Sequence, residues 1–153
     1  MAALSRGCTS TTMASKNYVP AFVAAAVVAL GIGVTVWNMD APTPDRQGLV
    51  QPRFSTLALA GGIAYDKNCA GCHGVNGAGS EKGPPLIHGI YNPGHHNDES
   101  FFRAARRGVP RHHWNFGDMP SQPQASRQDI AEIIRYIREL QEANGIVWKK
   151  HIM

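Results

Sequence analysis

Residues 69–73 read CAGCH, two cysteines separated by two residues and followed directly by a histidine. A Cys-x-x-Cys pair has four usual interpretations: half of a zinc site, a redox-active dithiol, a disulfide, or an attachment site for haem. The residue after the second cysteine distinguishes them, and here it is His73. Two thiols at this spacing reach the two vinyl groups of one porphyrin, while the adjacent imidazole reaches its iron.

The third cysteine and the sequence context disfavour the other interpretations. A zinc site needs two further ligands, and a long apolar stretch separates Cys8 from the motif. A redox-active dithiol is typical of a βαβ unit, which the surrounding residues do not predict. We therefore predict one covalent haem c, attached through Cys69 and Cys72, with His73 as an iron ligand.

Met119 is the predicted sixth ligand of the iron. It lies in the loop NFGDMP, residues 115–120, after one predicted helix and before another, so the chain can return on the far face of the haem. Pro120 stiffens this loop, and a thioether ligand favours ferrous iron and raises the reduction potential. The alternative is that Met119 is an ordinary core residue.

Apolar spacing on both sides of the motif predicts three helices and no strand, so the expected fold class is all-α with long loops. The first covers residues 55–67, with Leu57, Ala60 and Ala64 on its apolar face. The second opens at residues 97–100, carries Phe101, Phe102 and Ala105, and ends at Gly108. The third, in residues 127–145, is the most strongly amphipathic, with charged residues opposite an isoleucine-rich face.

Residues 18–37 contain no charged side chain and are long enough to cross a bilayer as one helix. A cleaved signal peptide is the alternative, but its apolar region is shorter, and the small-residue exit at 39–41 is followed by Pro42. We therefore predict an uncleaved transmembrane anchor in contact with membrane lipid. Arg6 and Lys16 precede the anchor, which predicts a cytoplasmic N terminus and an exported remainder.

Composition divides the 153 residues into five parts. After the anchor, prolines and a glycine among polar residues predict a semi-extended tether. The parts are a tail at 1–17, the anchor at 18–37, a Pro-rich linker at 38–53, a globular domain at 54–147 and a C-terminal tail at 148–153. Translation from Met13 instead of Met1 is an open alternative. A net charge of +4 without a basic run predicts no nucleic-acid binding.

Further motifs accompany CAGCH in a fixed order. They are a glycine and an aromatic residue eight and four positions before the first cysteine, a Gly-Pro-x-Leu sequence, and an aliphatic-x-x-Tyr pattern in the last helix, carried by Gly61, Tyr65, residues 83–86, Ile133 and Tyr136. In these motifs the domain resembles the class I cytochrome c family over residues 54–145. The short spacing between His73 and Met119 is closest to the bacterial members, which implies a periplasmic domain on an inner membrane.

The resemblance implies specific contacts. The Pro84 carbonyl should accept the ring proton of His73, Leu86 should pack on the haem, and the last helix should cross the first at Gly61. We also expect Trp114, with Phe116, to line the haem pocket and, if buried, to donate its indole proton to a haem propionate.

Two groups of residues depart from the family pattern. The histidine pairs His95–His96 and His112–His113 flank the second helix; they are either a second metal site, an alternative haem ligand, or ordinary loop residues. Four arginines, Arg103, Arg106, Arg107 and Arg111, precede the Met119 loop. They are either a solvated helix face or a docking patch for an acidic partner.

The resemblance implies an electron carrier rather than an enzyme. The first hypothesis is a shuttle between respiratory or photosynthetic membrane complexes, such as a quinol-oxidising complex and a terminal oxidase. The second is a fixed haem c subunit of a larger oxidase or dehydrogenase complex. A gas-binding sensor or small haem enzyme is the third, and it needs an open sixth position at the iron.

Overall fold

The computed structural model describes residues 23, 25–28 and 44–150. Clustering of contacts separates two compact units, Met1–Ala41 and Pro42–Met153. Most of the predicted anchor at 18–37 lies outside the described residues; of these positions, residues 23 and 25–28 are helical and exposed. No helix formed by the described residues has the length and apolar character needed to cross a membrane.

Four α-helices form the second unit, α1 (Thr56–Asn68), α2 (Ala70–His73), α3 (Asp98–Arg107) and α4 (Arg127–Ala143). Two 3-10 turns, Val75–Gly77 and Gly89–Tyr91, lie in the long connection between α2 and α3. The residues described from 44 to 150 form no strand, only two isolated bridges. The predicted all-α fold class with long loops is therefore confirmed for this part of the chain.

Side-chain caps fix where the long helices begin. Ser55 accepts a hydrogen bond from the Ala58 amide at the start of α1, and Asn97 accepts one from Ser100 at the start of α3. Ser126 and Asp129 form a reciprocal capping box at the start of α4. Each cap satisfies amide groups that have no partner within the helix, which contributes about 1 kcal/mol.

The centre of the domain is the crossing of α1 and α4. A Cβ atom at Gly61 would lie 2.0 Å from the Glu132 carbonyl oxygen and 3.0 Å from the Cβ of Tyr136. Only a glycine allows the two backbones to approach this closely. The predicted crossing at Gly61 is confirmed, and the core that it organises contains Ala58, Ala64, Tyr65, Leu86, Ile133, Tyr136, Ile137 and Leu140.

The buried face of α1 differs from the predicted one. Leu57 is 51% exposed, whereas Ala58 and Tyr65 are fully buried. The close crossing at Gly61 explains the difference, because small residues face α4 and the larger aliphatic side chains are turned outward. The prediction of Leu57 as part of the apolar face was wrong, while that of Ala64 was correct.

The predicted charged face of α4 also needs correction, because Arg138 is buried. Its guanidinium donates to Asp98 Oδ1 at 2.8 Å, to the Tyr91 carbonyl at 2.8 Å and to Gln141 Oε1 at 2.6 Å. Hydrogen bonds to several partners offset the cost of removing the charge from water. Arg138 thus connects α4 to the start of α3 and to the turn before it.

The last residues of the predicted linker are folded against the domain. Asp45 accepts hydrogen bonds from the Gln47 and Leu49 amides and, at 2.6 Å, from the Asn76 side chain. Val50 exchanges two hydrogen bonds with the Asn144 side chain, at 2.9 and 3.0 Å. These contacts arise because the Asp45 carboxylate organises a tight turn, which the proline-based prediction of a free tether did not consider.

Candidate functional site

The CAGCH motif lies where α1 passes into α2. The Cys69 amide donates to the Tyr65 carbonyl at 2.8 Å, and the His73 amide donates to the Cys69 carbonyl at 2.9 Å, so one further helical turn follows directly. Cys69 is half-buried and Cys72 is exposed. The motif therefore presents its first thiol and its imidazole inward, and its second thiol at the surface.

Burial, with a smaller effect of the neighbouring Cys72, raises the pKa of the Cys69 thiol to about 11. A redox-active dithiol has the opposite property, because its nucleophilic thiol has a lowered pKa. No described carboxylate or histidine joins these two cysteines in a group with metal-binding geometry. Both observations agree with the exclusion of a redox dithiol and of a zinc site.

His73 is held through its Nδ1 atom. Its side chain is buried, and Nδ1 lies 2.9 Å from the Pro84 carbonyl oxygen, the contact that the family resemblance implies. Because a carbonyl only accepts, Nδ1 carries the proton and Nε2 keeps a lone pair for a metal. Burial lowers the pKa of His73 despite the opposing effect of the Pro84 hydrogen bond, so the imidazole is neutral at neutral pH.

The segment after His73 is folded tightly against the motif. The Tyr65 hydroxyl donates to the Gly74 carbonyl at 2.7 Å, and the Leu86 amide donates to the Gly77 carbonyl at 2.7 Å. Gly83 lies against Cys72, where a Cβ would come within 2.9 Å of the Cys72 carbonyl oxygen. These contacts bring Pro84 and Leu86 to the side of His73.

A cavity of about 480 Å³ adjoins the motif and is bordered mainly by apolar atoms. Of the seven predicted site residues, six line it: Cys69, His73, Pro84, Leu86, Trp114 and Met119. The exception is Cys72, which is exposed at the surface. The structure thus brings together two separate segments of the chain, residues 69–86 and residues 114–119.

Residues 109–119, here called the methionine loop, form the wall that carries Met119. Its two ends are joined by a pair of hydrogen bonds between Val109 and Met119, both 2.9 Å long. Gly108 precedes the loop with φ +75°, and a Cβ there would come within 2.5 Å of the Met119 carbonyl oxygen. A left-handed glycine without a side chain is therefore required to close the loop.

Trp114 and Phe116 line the cavity as predicted, but Trp114 is only half-buried. Its indole nitrogen donates to the Tyr91 hydroxyl at 3.1 Å, and its ring packs edge-on against His88 at 5.1 Å. The donor that was assigned to a haem propionate is therefore engaged by Tyr91. No sequence pattern predicts this pair, because Tyr91 lies in a turn far from Trp114 along the chain.

Further cavity residues come from the helices. Ile130, Ile133 and Ile134 of α4 and Phe101 of α3 line the same space. Their periodicity predicted a buried face, but the face of an amphipathic helix does not reveal whether it covers other helices or a cofactor. The amphipathic pattern is therefore a signal for burial and not for this site.

The residues present fit a covalent haem. The cavity is apolar and of a volume typical for bound cofactors, about 300–1,000 Å³. One wall supplies a thiol and an imidazole with a free Nε2 lone pair, and the methionine loop supplies a thioether. A soft sulfur and an imidazole are ligands that haem iron takes from proteins.

Comparison with protein families matches residues 58–141 to the family described as Cytochrome c. The match includes the CAGCH motif, Met119 and the α1–α4 crossing. Comparisons with curated proteins and with solved structures gave no match. Members of this family bind covalent haem c and transfer electrons, and one haem is typical of a domain of this size. Because the match covers more than half of the 153 residues, the chain belongs to the cytochrome c family and is a haem c electron-transfer protein.

Proposed function

We propose that this chain is a membrane-anchored, monohaem cytochrome of the class I, bacterial type that shuttles single electrons between membrane complexes. In this proposal residues 18–37 hold it to the inner membrane, and the domain faces the periplasm. Cys69 and Cys72 form the thioether bonds to the haem, and His73 and Met119 are its axial ligands. No bond chemistry on a substrate is assigned to it.

The observation that carries the axial assignment is the shared cavity of His73 and Met119. His73 approaches it from α2 with Nδ1 fixed by Pro84, and Met119 approaches it from the closed end of the methionine loop. The haem, when bound, supplies an iron that takes up and releases one electron. A histidine–methionine pair leaves no open position for a gas or a substrate, which favours electron transfer over sensing or catalysis.

The chain contributes orientation and exclusion of water. Pro84 sets the tautomer and the ring direction of His73. The buried aliphatic residues Leu86 and Ile133 keep water from the cavity wall, and a dry site with sulfur ligation raises the reduction potential. These properties suit a carrier that cycles between ferric and ferrous iron without structural change.

Absorption spectra of the full-length haem protein test the axial ligands. We expect a single low-spin c-type haem, a weak far-red band from sulfur ligation in the ferric form, and no response of the ferrous form to carbon monoxide. Met119→Ala should abolish the far-red band and bind carbon monoxide, because the sixth position opens. Met153→Leu, which removes a methionine at the end of the chain, is the control. A wild-type protein that binds carbon monoxide would favour the sensor or enzyme hypothesis instead.

The arginine patch supports the proposed interaction with acidic redox partners. Arg103, Arg106, Arg107 and Arg111 are all exposed, and Arg103 and Arg111 also border the haem cavity. Positive charge next to the site of electron exchange raises the encounter rate with an acidic protein while the complex stays short-lived. A shuttle needs both properties.

Electron-transfer kinetics with an acidic redox protein test the patch. Arg106→Glu combined with Arg107→Glu should lower the second-order rate at low ionic strength by about tenfold or more, and added salt should reduce the difference. Lys149→Glu combined with Lys150→Glu makes the same charge change at another exposed adjacent pair. Equal effects of the two double variants would show that only net charge matters and would reject the docking patch.

Membrane fractionation tests the anchor. Val27→Arg with Val28→Arg places two charges in the middle of residues 18–37, each costing about 2.5–3.5 kcal/mol at the centre of a bilayer, so the protein should leave the membrane fraction. Leu59→Arg with Ile63→Arg, on the exposed face of α1, should leave fractionation unchanged. Wild-type protein found in the soluble fraction would reject the anchor.

A fixed subunit of a larger oxidase or dehydrogenase complex is the second candidate. The exposed apolar side chains of α1, Leu57, Leu59 and Ile63, favour it, because a permanent interface would cover them. Purification in mild detergent separates the two candidates. A shuttle should elute alone, whereas a subunit should elute in stoichiometric amounts with other proteins.

A further inference from the structure

Three histidines that the haem site does not use converge at one edge of the cavity. His95 and His96 come from the turn before α3, and His113 comes from the methionine loop. The His95 and His113 Nε2 atoms lie 3.3 Å apart, and one nitrogen from each of the three rings lies within 4.8 Å of the others. We propose that His95, His96 and His113 bind one transition-metal ion, with Zn²⁺ as the best geometric fit.

The nitrogen separations carry this choice of ion. At metal–nitrogen bonds of about 2.0–2.1 Å, two ligands of a tetrahedral ion are about 3.3–3.4 Å apart. The His95–His113 separation already has this value. Three imidazoles with a fourth position left to water are an established ligand set for Zn²⁺, and imidazole also suits Cu²⁺. One His96 nitrogen lies within 4.8 Å of the ligand nitrogens of the other two rings, so the three rings have to move closer together to reach the tetrahedral separation.

Hydrogen bonds around His96 fix its tautomer and hold its backbone in place. Its Nδ1 atom donates to the Ile90 carbonyl at 2.8 Å, which leaves the Nε2 lone pair for a metal. Its own carbonyl accepts from Nη2 of the buried Arg138 at 2.5 Å, and its amide donates to the Asn92 carbonyl at 2.9 Å. The ligand is therefore fixed by a buried guanidinium and by backbone contacts.

The protonation states agree with this geometry. Burial lowers the pKa of His96 and of His113, and the neighbouring imidazoles lower both further, although the Ile90 hydrogen bond opposes the shift at His96. Neutral imidazoles are the form that binds metals. Ring centroids 4.5–5.2 Å apart would place like charges very close if these histidines were protonated together.

A metal at this site would connect two segments. His95 and His96 belong to a turn that is fixed to α4, and His113 belongs to the methionine loop, six residues before Met119. The ion would therefore act as a cross-link that restrains the methionine loop. Binding to the folded state alone also raises the midpoint of thermal unfolding.

Calorimetric titration of Zn²⁺ into the chelator-treated haem protein tests the proposal. We expect one equivalent to bind, at least about 100-fold more weakly in His95→Gln and in His113→Gln. His151→Gln removes one imidazole near the end of the chain and should bind like wild type. An unchanged haem spectrum verifies that each variant is folded and that its iron ligands are intact.

Two further measurements separate this site from chance binding. Zn²⁺ should raise the thermal midpoint of the wild-type haem protein and of His151→Gln, but not of His113→Gln. Cu²⁺ in the same site should give an electron paramagnetic resonance signal with hyperfine structure from several imidazole nitrogens. Absence of saturable binding, or binding by His95→Gln and His113→Gln that is as strong as that of wild type, would overturn the proposal.

Discussion

The wall of the cavity that carries the cysteines and the methionine loop are held by different means. The cysteine wall, residues 56–87 together with α4, contains the fully buried Tyr65 and Leu140 and a helix crossing at backbone contact distance. Between its half-buried ends, Val109 and Met119, the methionine loop is exposed except at the half-buried Trp114. It is closed by one pair of backbone hydrogen bonds and the glycine before it.

This difference suggests two roles. The cysteine wall attaches the haem, and the methionine loop sets the ligation and the reduction potential of its iron. The proposed attachment residues Cys69 and Cys72 and the proposed ligand His73 all lie on the cysteine wall, so a covalent haem should not depend on the methionine loop for its retention. Met119, the proposed sixth ligand, lies on the wall with fewer buried contacts, where small changes should alter ligation without unfolding the domain. We therefore expect variants of the cysteine wall to affect stability, and variants of the methionine loop to affect the spectrum and the potential.

Gly61→Ala should have the largest effect. The new Cβ would meet the Glu132 carbonyl at 2.0 Å, and two helix backbones have to separate to admit it, which we expect to cost at least about 3 kcal/mol. Gly71→Ala is the matched control, because no atom lies within 4 Å of its Cβ position. Chemical unfolding of both haem proteins measures the difference. Equal stabilities would contradict the close crossing.

Gly108→Ala should come next and should act on the other wall. Its φ of +75° and the 2.5 Å approach to the Met119 carbonyl oppose any side chain, so we expect a loss of about 2 kcal/mol and a weaker far-red sulfur band. Gly117→Ala has the same kind of backbone penalty, with φ +89°, but no atom within 4 Å. A sulfur band that is equally weakened in both variants would show that the contact at Gly108 does not position Met119.

Sequence patterns predicted the cysteine wall well because its signals are local. The crossing at Gly61 and the Pro84 contact were implied by the family resemblance, which rests on motifs of a few residues at fixed spacing. The amphipathic pattern of α4 likewise predicted its buried isoleucines. The buried face of α1 was predicted wrongly at Leu57. A pattern based on hydrophobicity favours Leu57 over the glycine and alanines that are buried instead.

The methionine loop and the polar contacts around it were harder to predict because their partners are distant in sequence. The engagement of Trp114 by Tyr91 and the burial of Arg138 depend on how three segments meet, and no periodicity encodes that. A second metal site at the histidine pairs was one of several open alternatives, and the distances that bring His95 and His96 close to His113 come from the fold. Met119 as the axial ligand stays a prediction.

Tyr65→Phe should have a smaller effect than either glycine variant. The change leaves the half-buried Gly74 carbonyl without the hydroxyl of the buried Tyr65 that donates to it at 2.7 Å, so we expect a loss of about 1–2 kcal/mol. Tyr91→Phe removes the hydroxyl that accepts a hydrogen bond from Trp114 of the methionine loop. Because Tyr91 is only half-buried, the loss of stability should be less than about 1 kcal/mol. Urea unfolding compares them, and a larger loss for Tyr91→Phe would reverse the proposed ranking of the two walls.

The smallest expected effect is the pH dependence of stability that comes from the turn at Asp45. The Asp45 carboxylate contacts the cysteine wall by accepting a hydrogen bond from the Asn76 side chain. Burial acts to raise the pKa of Asp45, but hydrogen bonds from Asn76, Leu49, Gln47 and Gln51 together lower it below its ordinary value of 3.8. Because the folded state holds the carboxylate more favourably than the unfolded state, its contribution is present above pH 3.8 and is lost as the pH falls through the lower pKa of the folded protein.

The variant Asp45→Asn isolates this contribution. At neutral pH it should be less stable than wild type by about 0.5 kcal/mol, since exposed hydrogen bonds to a carboxylate are screened by water. The difference should shrink towards zero in acid, where the wild-type carboxyl is protonated. Unfolding in urea at several pH values measures the difference directly. A difference that does not change with pH would mean that the turn depends on the shape of the side chain and not on its charge, and that the brace to Asn76 is not electrostatic.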